Sequence, residues 1–268
     1  MRGMGPPQRA GRKGNCMRQL AAPGTILGGR FAVTREIGRG PRSVVCLAVD
    51  QRHGREVALK LYDGPTGRLQ RLVVEAADLA RYRLLVPREI VDGTPTLLVL
   101  EHLPGTDLGH EIAAQGGLPP AAVAEYGWQA ARALVAAHRR GLLHGNLTPR
   151  NILLPDAGGV WLTDLAMEPT SQAFLAPEVR RGAAADPRAD LYALGLVLYV
   201  GLTGRLPAVP APTLPDGLRP SERREDVPAW LDDAIARATA LLPADRFSRA
   251  SQLAEALEPP RPSRAMAG

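Results

Sequence analysis

The sequence has few lysines, few cysteines and no long apolar run. Lys13 and Lys60 are the only lysines among 33 basic residues. Cys16 and Cys46 are the only cysteines, so neither a disulfide framework nor a zinc-ligand spacing is present, and a cytoplasmic location is expected. Because no window reaches the roughly 18 apolar residues that a bilayer-spanning helix needs, we expect no intrinsic membrane span.

Positive charge is concentrated at the N-terminal end. The chain of 268 residues has a net charge of +6, and its first 18 residues carry five positive charges and no acidic residue. The remainder is nearly neutral, which does not indicate a nucleic-acid-binding face. We expect residues 1–24 to form a disordered basic tail, residues 25–258 to form the folded domain, and residues 259–268 to form a second disordered tail.

Apolar periodicity predicts an α+β fold. Alternation over residues 30–63, with turns at 38–40 and 51–54, predicts three antiparallel strands. A helix is predicted over 67–83 and further strands near 83–91 and 96–101. The pattern then becomes mostly helical, with helices at 120–140, 189–203, 228–241 and 248–257. This order predicts a small antiparallel sheet with one main helix, followed by a larger helical part.

The segment from His144 to Asp164 has the layout of a phosphotransfer site. A polar loop ends at Asn151, an apolar strand pair follows, and an isolated Asp164 ends the second strand. Such a layout brings Asn151 and Asp164 together as oxygen ligands for Mg²⁺. Five residues before Asn151, where a proton acceptor is expected, stands the neutral amide of Asn146.

This loop resembles the catalytic loop of protein kinases, His-Arg-Asp-Leu-Lys-Pro-x-Asn, which is followed by Asp-Phe-Gly. Other segments match the family in its own order: a Gly-rich loop at 37–45, Val-Ala-Leu-Lys at 57–60, Ala-Pro-Glu at 176–178, a central helix from 190 to 207, and Asp-Arg-Phe at 245–247. The similarity is to bacterial serine/threonine kinases and covers about residues 25–258. It implies a bilobal fold with an N-lobe at about 25–101, a hinge at about 101–105 and a C-lobe at about 106–258. It also implies that Asp190 lies beneath the catalytic loop and that Arg246 pairs with Glu178.

The resemblance also implies site residues. Lys60 would contact the ATP phosphates while paired to Glu75, and Asn151 and Asp164 would hold Mg²⁺. The remaining nucleotide contacts would come from residues of the Gly-rich loop, the sheet and the hinge: Gly38, Gly40, Val45, Ala58, Glu101, Leu103 and Leu153. Lys60 is the only lysine of the expected domain, which independently favours a specific role for it.

Several positions depart from the family pattern. Asn146 replaces the catalytic Asp, which removes a general base worth roughly 10²–10⁴-fold in rate. Thr148 replaces the Lys that meets the transferring phosphoryl group, and Gly145 replaces the Arg that reads a phosphorylated loop. Only three residues, 167–169, separate Asp164-Leu165-Ala166 from Thr170, so we do not expect loop phosphorylation to act as a switch.

Nucleotide-binding positions are therefore mostly kept and transfer positions are degenerate. The His-Gly-Asn loop also resembles the pseudokinase domain of Janus kinases. The leading hypothesis is a bacterial pseudokinase that binds ATP and Mg²⁺ and regulates or scaffolds an unidentified protein partner. The alternatives are a low-activity serine/threonine kinase, a small-molecule phosphotransferase similar to the aminoglycoside phosphotransferases, and a scaffold that binds no nucleotide.

Overall fold

The computed structural model describes residues 17–75, 77–207 and 217–258, and its chain divides into two compact units. Of the described residues, the first unit holds those between 17 and 77 together with 86–103, and the second holds 78–85 together with those between 104 and 258. The α+β prediction is confirmed. The observed boundary differs from the predicted lobes because residues 78–85 belong to the second unit, where they contribute a sheet strand.

The first unit is built on an antiparallel sheet, with a helical turn at residues 17–20 before it and helix α1 (Gly67–Glu75) between its fourth strand and the last two. Its strands are β1 (Ile26–Leu27), β2 (Phe31–Gly40), β3 (Ser43–Asp50), β4 (Arg55–Tyr62), β6 (Glu89–Val91) and β7 (Thr96–Glu101). They pair in the order β1-β2-β3-β4-β7-β6. The three predicted strands over 30–63 and the strand over 96–101 are thus confirmed, whereas the predicted helix over 67–83 is shorter and gives way to a 3₁₀ segment at Ala77–Tyr82.

The turn predicted at residues 38–40 lies at Pro41 and Arg42 instead. Irregularities in the β2–β3 register let β2 continue through Gly40, which pairs with Ser43 across a two-residue turn. Neither Gly38 nor Gly40 adopts a positive φ. The two glycines therefore lie within a strand. They leave the strand backbone uncovered by side chains, and they do not supply a turn conformation.

The apolar core of the first unit lies on one face of the sheet. It is formed by alternate strand residues, among them Val44, Cys46, Ala48, Val57, Leu59, Leu61, Leu97 and Val99. Met17 and Ala21 are buried in the same cluster, with Leu20 packed against it. The prediction of a disordered tail is therefore wrong for residues 17–24, because burial of these apolar side chains offsets the cost of ordering the segment. Residues 1–16 and 259–268 lie outside the described part of the chain.

The second unit combines a small sheet with a set of helices. The sheet has the order β5-β10-β9-β8, formed by β5 (Leu84–Leu85), β8 (Gly105–Asp107), β9 (Ile152–Pro155) and β10 (Trp161–Thr163). The helices are α2 (Leu108–Gln115), α3 (Pro120–His138), α4 (Pro177–Arg180), α5 (Pro187–Thr203), α6 (Ala229–Ala238) and α7 (Ala250–Leu257). The four helices predicted for this part of the chain are confirmed to within three residues at each end.

Helix α5 is the centre of the second unit. Every residue from 190 to 202 is buried, because its sequence is apolar on all sides apart from its first turn. Helices α3, α6 and α7 pack against it. Across the described ranges, no helix combines the length and the apolarity that crossing a bilayer requires.

Candidate functional site

The loop at residues 144–146 is held by hydrogen bonds to Asp190, which lies in the first turn of α5. Its carboxylate accepts hydrogen bonds from the backbone N–H groups of His144 and Gly145, both at 2.8 Å, and from Nε2 of His138, also at 2.8 Å. Because Asp190 is buried, its carboxylate has lost its contact with water. The three hydrogen bonds offset the free-energy cost of that loss. The predicted position of Asp190 beneath the loop is confirmed.

His144 is fully buried within this loop. Its Nδ1 accepts the backbone N–H of Asn146 at 3.4 Å. Burial lowers the pKa of His144, although the nearby carboxylates of Asp190 and Asp164 act in the opposite direction. The imidazole is therefore a neutral packing and hydrogen-bonding group rather than a charged one.

Asn146 lies at the position where the family carries its base, and it is buried. Its side-chain Oδ1 accepts two hydrogen bonds from Thr170, one from the backbone N–H at 2.9 Å and one from the hydroxyl at 3.0 Å. Because a backbone N–H can only donate, this contact fixes which end of the amide is oxygen. The Nδ2 of Asn146 is buried and has no hydrogen-bond partner. Sequence reasoning missed the Thr170 contact.

Asn151 and Asp164 lie at one end of the β9–β10 pair. Asn151 immediately precedes β9, and Asp164 immediately follows β10. In the observed register, Leu162 lies opposite Ile152. If that register is continued by one residue, Thr163 lies opposite Asn151. Nδ2 of Asn151 donates to the backbone oxygen of Asn146 at 2.6 Å, which leaves Oδ1 of Asn151 as its available ligand atom. This donor set fits Mg²⁺, which prefers a few protein oxygens completed by phosphate and water.

No group of three or more His, Cys, Asp or Glu residues suited to a metal occurs in the part of the chain that the structure describes. A cation at this end of the sheet would therefore be held by Asn151, Asp164 and oxygens of a bound phosphate group or water. Thr148 lies in the same loop, where it is buried and its backbone oxygen accepts the N–H of Asn151 at 3.0 Å.

In the first unit, the candidate residues on β2, β3 and β4 lie on the sheet face opposite the apolar core. Val45 pairs with both Gly38 and Lys60, so these three residues lie in one row across the strands. Ala58 lies two residues before Lys60 on β4 and therefore on the same face. Lys60 is only 6% exposed, unusual for a lysine and consistent with a specific role.

Two further candidates lie at the end of β7 and one lies on α1. Glu101 is the last residue of β7, and its side chain binds Arg88 at 2.5 Å, so its backbone is the part that is left for a ligand. Leu103 follows it, half-buried. Glu75 ends α1, but its side chain lies outside the described part of the structure, so the ion pair with Lys60 stays a prediction. Leu153 lies in β9 of the second unit, opposite Trp161.

Glu178 and Arg246 form a part-buried ion pair that links the segment after the site to the helical part of the second unit. Two parallel hydrogen bonds of 2.8 Å join the guanidinium to the carboxylate. Arg246 also donates to the backbone oxygens of Ala240, Leu241 and Arg188 and lies over the ring of Tyr192. Burial raises the pKa of Glu178, but the hydrogen bonds from Arg246, a backbone hydrogen bond and the charge of Arg246 together outweigh burial, and the net pKa is lowered. The predicted pairing is confirmed.

Comparison with known proteins decides the family. The model of the protein kinase domain matches residues 31–214 of this chain, which is more than half of its length. The chain belongs to the protein kinase family. The kinase domain of Mycobacterium tuberculosis PknI, a solved structure, superimposes with a TM-score of 0.72 at 29% identity, covering 88% of this chain and 98% of that domain.

Several of its relatives among curated proteins are bacterial serine/threonine kinases. It is 33% identical to the serine/threonine-protein kinase PknL of Mycobacterium tuberculosis, covering 87% of this chain and 66% of PknL. A probable serine/threonine-protein kinase of Clostridium acetobutylicum is 27% identical, over 87% of this chain and 40% of the relative. The chain thus spans less than two thirds of the length of these relatives.

Proposed function

We propose that this kinase-family chain binds ATP with Mg²⁺, transfers phosphate poorly or not at all, and serves as a regulatory or scaffolding module. The observation that carries the proposal is Asn146. A neutral amide stands at the base position, and its oxygen is already bonded to Thr170. An amide cannot take up a proton near neutral pH, so the general-base contribution is absent.

The nucleotide part of the proposal assigns residues to each unit separately. In the first unit, Val45 and Ala58 would contact adenine, Gly38 and Gly40 would admit phosphate oxygens to the backbone, and Lys60 would meet the phosphates while paired to Glu75. Glu101 and Leu103 would offer backbone hydrogen bonds to the base. The burial of Lys60, on the face that carries Val45 and Ala58, supports this assignment.

In the second unit, Asn151 and Asp164 would hold Mg²⁺, and Leu153 would pack on the adenine. When bound, the cation would neutralise phosphate charge. The loss of transfer has a second source, because Thr148 stands where the family has a Lys and contributes no positive charge to the phosphoryl group.

Regulation of a protein partner follows from nucleotide binding in general terms. A ligand that prefers one conformation of a protein shifts its population toward that conformation and thereby changes the surface offered to other proteins. The partner is expected to be a protein.

The test is the melting temperature with and without Mg²⁺-ATP, in wild type and in Lys60→Met. Methionine keeps the buried apolar stem and removes the charge. We expect the ATP-induced rise in melting temperature to be lost in Lys60→Met and kept in Arg52→Met, which removes an exposed cation from the β3–β4 turn. An unchanged rise in Lys60→Met would refute the role of Lys60.

A second candidate function is a slow serine/threonine kinase. It is favoured by the curated relatives, which are named as kinases. The transition state of phosphoryl transfer is largely dissociative, so loss of the base need not abolish the reaction. Transfer from labelled ATP to casein that disappears in Asp164→Asn would support this candidate over the first.

A further inference from the structure

An exposed aromatic ring in the second unit is contacted by two guanidinium groups. Tyr82 ends the 3₁₀ segment and is 41% exposed. The guanidinium carbon of Arg81 lies 4.9 Å from the centre of the ring, and that of Arg140, two residues beyond the end of α3, lies 5.5 Å from it. Cation–π attraction favours both contacts. The ring therefore helps to hold two cations at the surface, although each is drawn from a different element.

The same two guanidinium groups bind one carboxylate. Nη2 of Arg81 and Nη2 of Arg140 both donate to Oδ2 of Asp78, at 2.9 Å and 2.5 Å. The side chains of Asp78 and Arg81 are 43% and 63% exposed, so this contact is open to water. Because a guanidinium has five N–H donors, one carboxylate oxygen does not use up the binding capacity of the pair. The two arginines thus form a fork that already holds a carboxylate.

Positive charge exceeds negative charge around this fork. Arg83 and Arg139, each adjacent in the chain to a residue of the fork, are also exposed. Within segments 78–83 and 139–140, four arginines face a single acidic residue, Asp78. The surplus of positive charge attracts an anionic partner and repels a cationic one.

Asp78 indicates which chemical group the fork accepts. Exposed ion pairs contribute little stability, because water competes for both partners, so the carboxylate of another protein can replace Asp78 at low cost. Arginine and tyrosine are also residue types that carry much of the binding energy at protein interfaces. We propose that Asp78, Arg81, Tyr82 and Arg140, the Tyr82 cluster, form a docking site for an acidic segment of a protein partner, and that Asp78 occupies this site in the free chain.

The Tyr82 cluster gives the partner a stated chemistry. The inference rests on the proposed function for the existence of a protein partner, and it does not depend on nucleotide binding. All four residues belong to the second unit, away from the sheet of the first unit that carries Lys60.

The first test is the fluorescence anisotropy of a fluorescein-labelled hexaglutamate peptide titrated with the full chain. We expect binding at about 10 mM salt and its loss at about 0.5 M salt, where exposed charges are screened. Arg81→Gln with Arg140→Gln should weaken binding at least about tenfold, because the charge-assisted hydrogen bonds to the peptide are lost. Arg52→Gln with Arg132→Gln removes the same charge from other exposed positions and should bind nearly as well as wild type. Equal losses in the two double variants would overturn the site.

Asp78→Asn provides a second, independent test. Loss of the internal carboxylate frees both guanidinium groups, so the peptide should bind roughly two- to fivefold more tightly, as the strength of an exposed ion pair predicts. Asp226→Asn is the matched control, since it removes an exposed carboxylate that pairs with Arg224 instead, and it should give no gain. A cluster with only a structural role predicts a lower melting temperature for Asp78→Asn with unchanged peptide affinity, and that result would overturn the docking site.

The outcomes separate the docking site from the nucleotide proposal. Mg²⁺-ATP should raise the melting temperature of Asp78→Asn and of Arg81→Gln with Arg140→Gln as much as that of wild type, which also shows that these variants are folded. If that rise occurs but the peptide does not bind, the docking site fails alone. If it occurs in no variant, the nucleotide proposal fails, and the peptide titration still decides the docking site.

A nucleic acid is the competing occupant. Hexathymidylate carries a similar negative charge on phosphates instead of carboxylates. We expect it to bind more weakly than the peptide. Tighter binding of hexathymidylate that is lost in Arg81→Gln with Arg140→Gln would overturn the assignment to an acidic protein segment.

Discussion

Two non-glycine residues beside the candidate metal site have a left-handed backbone. Asp164 has φ of 65° and Ala166 has φ of 59°. Asp tolerates this region better than most residues, whereas Ala is disfavoured there by roughly 1–2 kcal/mol. The family's Asp-Phe-Gly carries glycine at the position of Ala166, so this chain keeps the backbone shape without the residue that suits it.

We expect Ala166→Gly to stabilise the protein by up to about 1 kcal/mol, because relief of the left-handed alanine exceeds the added chain entropy of glycine. The free energy of unfolding in urea measures the effect. Ala113→Gly, at an exposed site within α2, is the matched control and should cost up to about 1 kcal/mol. Equal losses from both changes would show that Ala166 is not strained.

The neutral, buried His144 predicts a pH dependence of stability. Since burial lowers its pKa in the folded state, the unfolded state binds more protons once the pH falls below about 6.5. Stability contributed by this residue is therefore lost as the pH falls from about 7.5 to 5.5, by up to about 1.4 kcal/mol per pH unit below 6.5. Urea unfolding across this range should show a shallower decline in His144→Leu, and parallel curves would contradict the assignment.

At the scale of elements, two helix ends meet in the second unit. Helices α2 and α5 end at Gly116 and Gly204, with φ of 72° and 73°. A Cβ added to Gly204 would overlap the backbone oxygen of Gly116. The close approach of these two helix ends therefore needs glycine for space as well as for conformation.

Gly204→Ala should consequently lower the free energy of unfolding by more than a change that introduces only left-handed backbone strain. Gly141→Ala supplies the comparison, since Gly141 has φ of 68° and a Cβ added to it would meet no atom within 4 Å. We expect Gly141→Ala to lower the free energy of unfolding by about 1–2 kcal/mol, and Gly204→Ala to lower it by at least about 1 kcal/mol more. Similar unfolding free energies for the two variants would mean that the helix ends separate without cost.

The elements that sequence patterns predict well are those whose burial follows one period. Alternation located β2, β3, β4 and β7, and helical spacing located α3, α5, α6 and α7. The hairpin turn was misplaced because glycine is typical of turns, whereas Gly38 and Gly40 lie in β2 here. The packed segment at residues 17–24 was missed, although Met17, Leu20 and Ala21 have helical spacing, because its burial depends on a sheet that is distant in sequence.

At the scale of the whole molecule, the family motifs located most candidate residues but not their bonding. The sequence identified Asn146 as a lost base, yet the saturation of its oxygen by Thr170 is a tertiary contact between residues 24 positions apart. No local pattern encodes that contact. The short separation between Asp164 and Thr170 was the one signal available, since it restricts where Thr170 can reach.

Each unit has a feature that supports nucleotide binding by this kinase-family chain: a buried lysine on the sheet face opposite the core in the first, and an oxygen donor pair in the second. The melting temperature of the wild-type chain, measured with ATP in the presence and absence of Mg²⁺, tests it most directly. We predict a rise of several degrees that depends on Mg²⁺, because a ligand that binds only the folded state stabilises it. No rise at millimolar ATP would contradict the claim and favour a scaffold that binds no nucleotide.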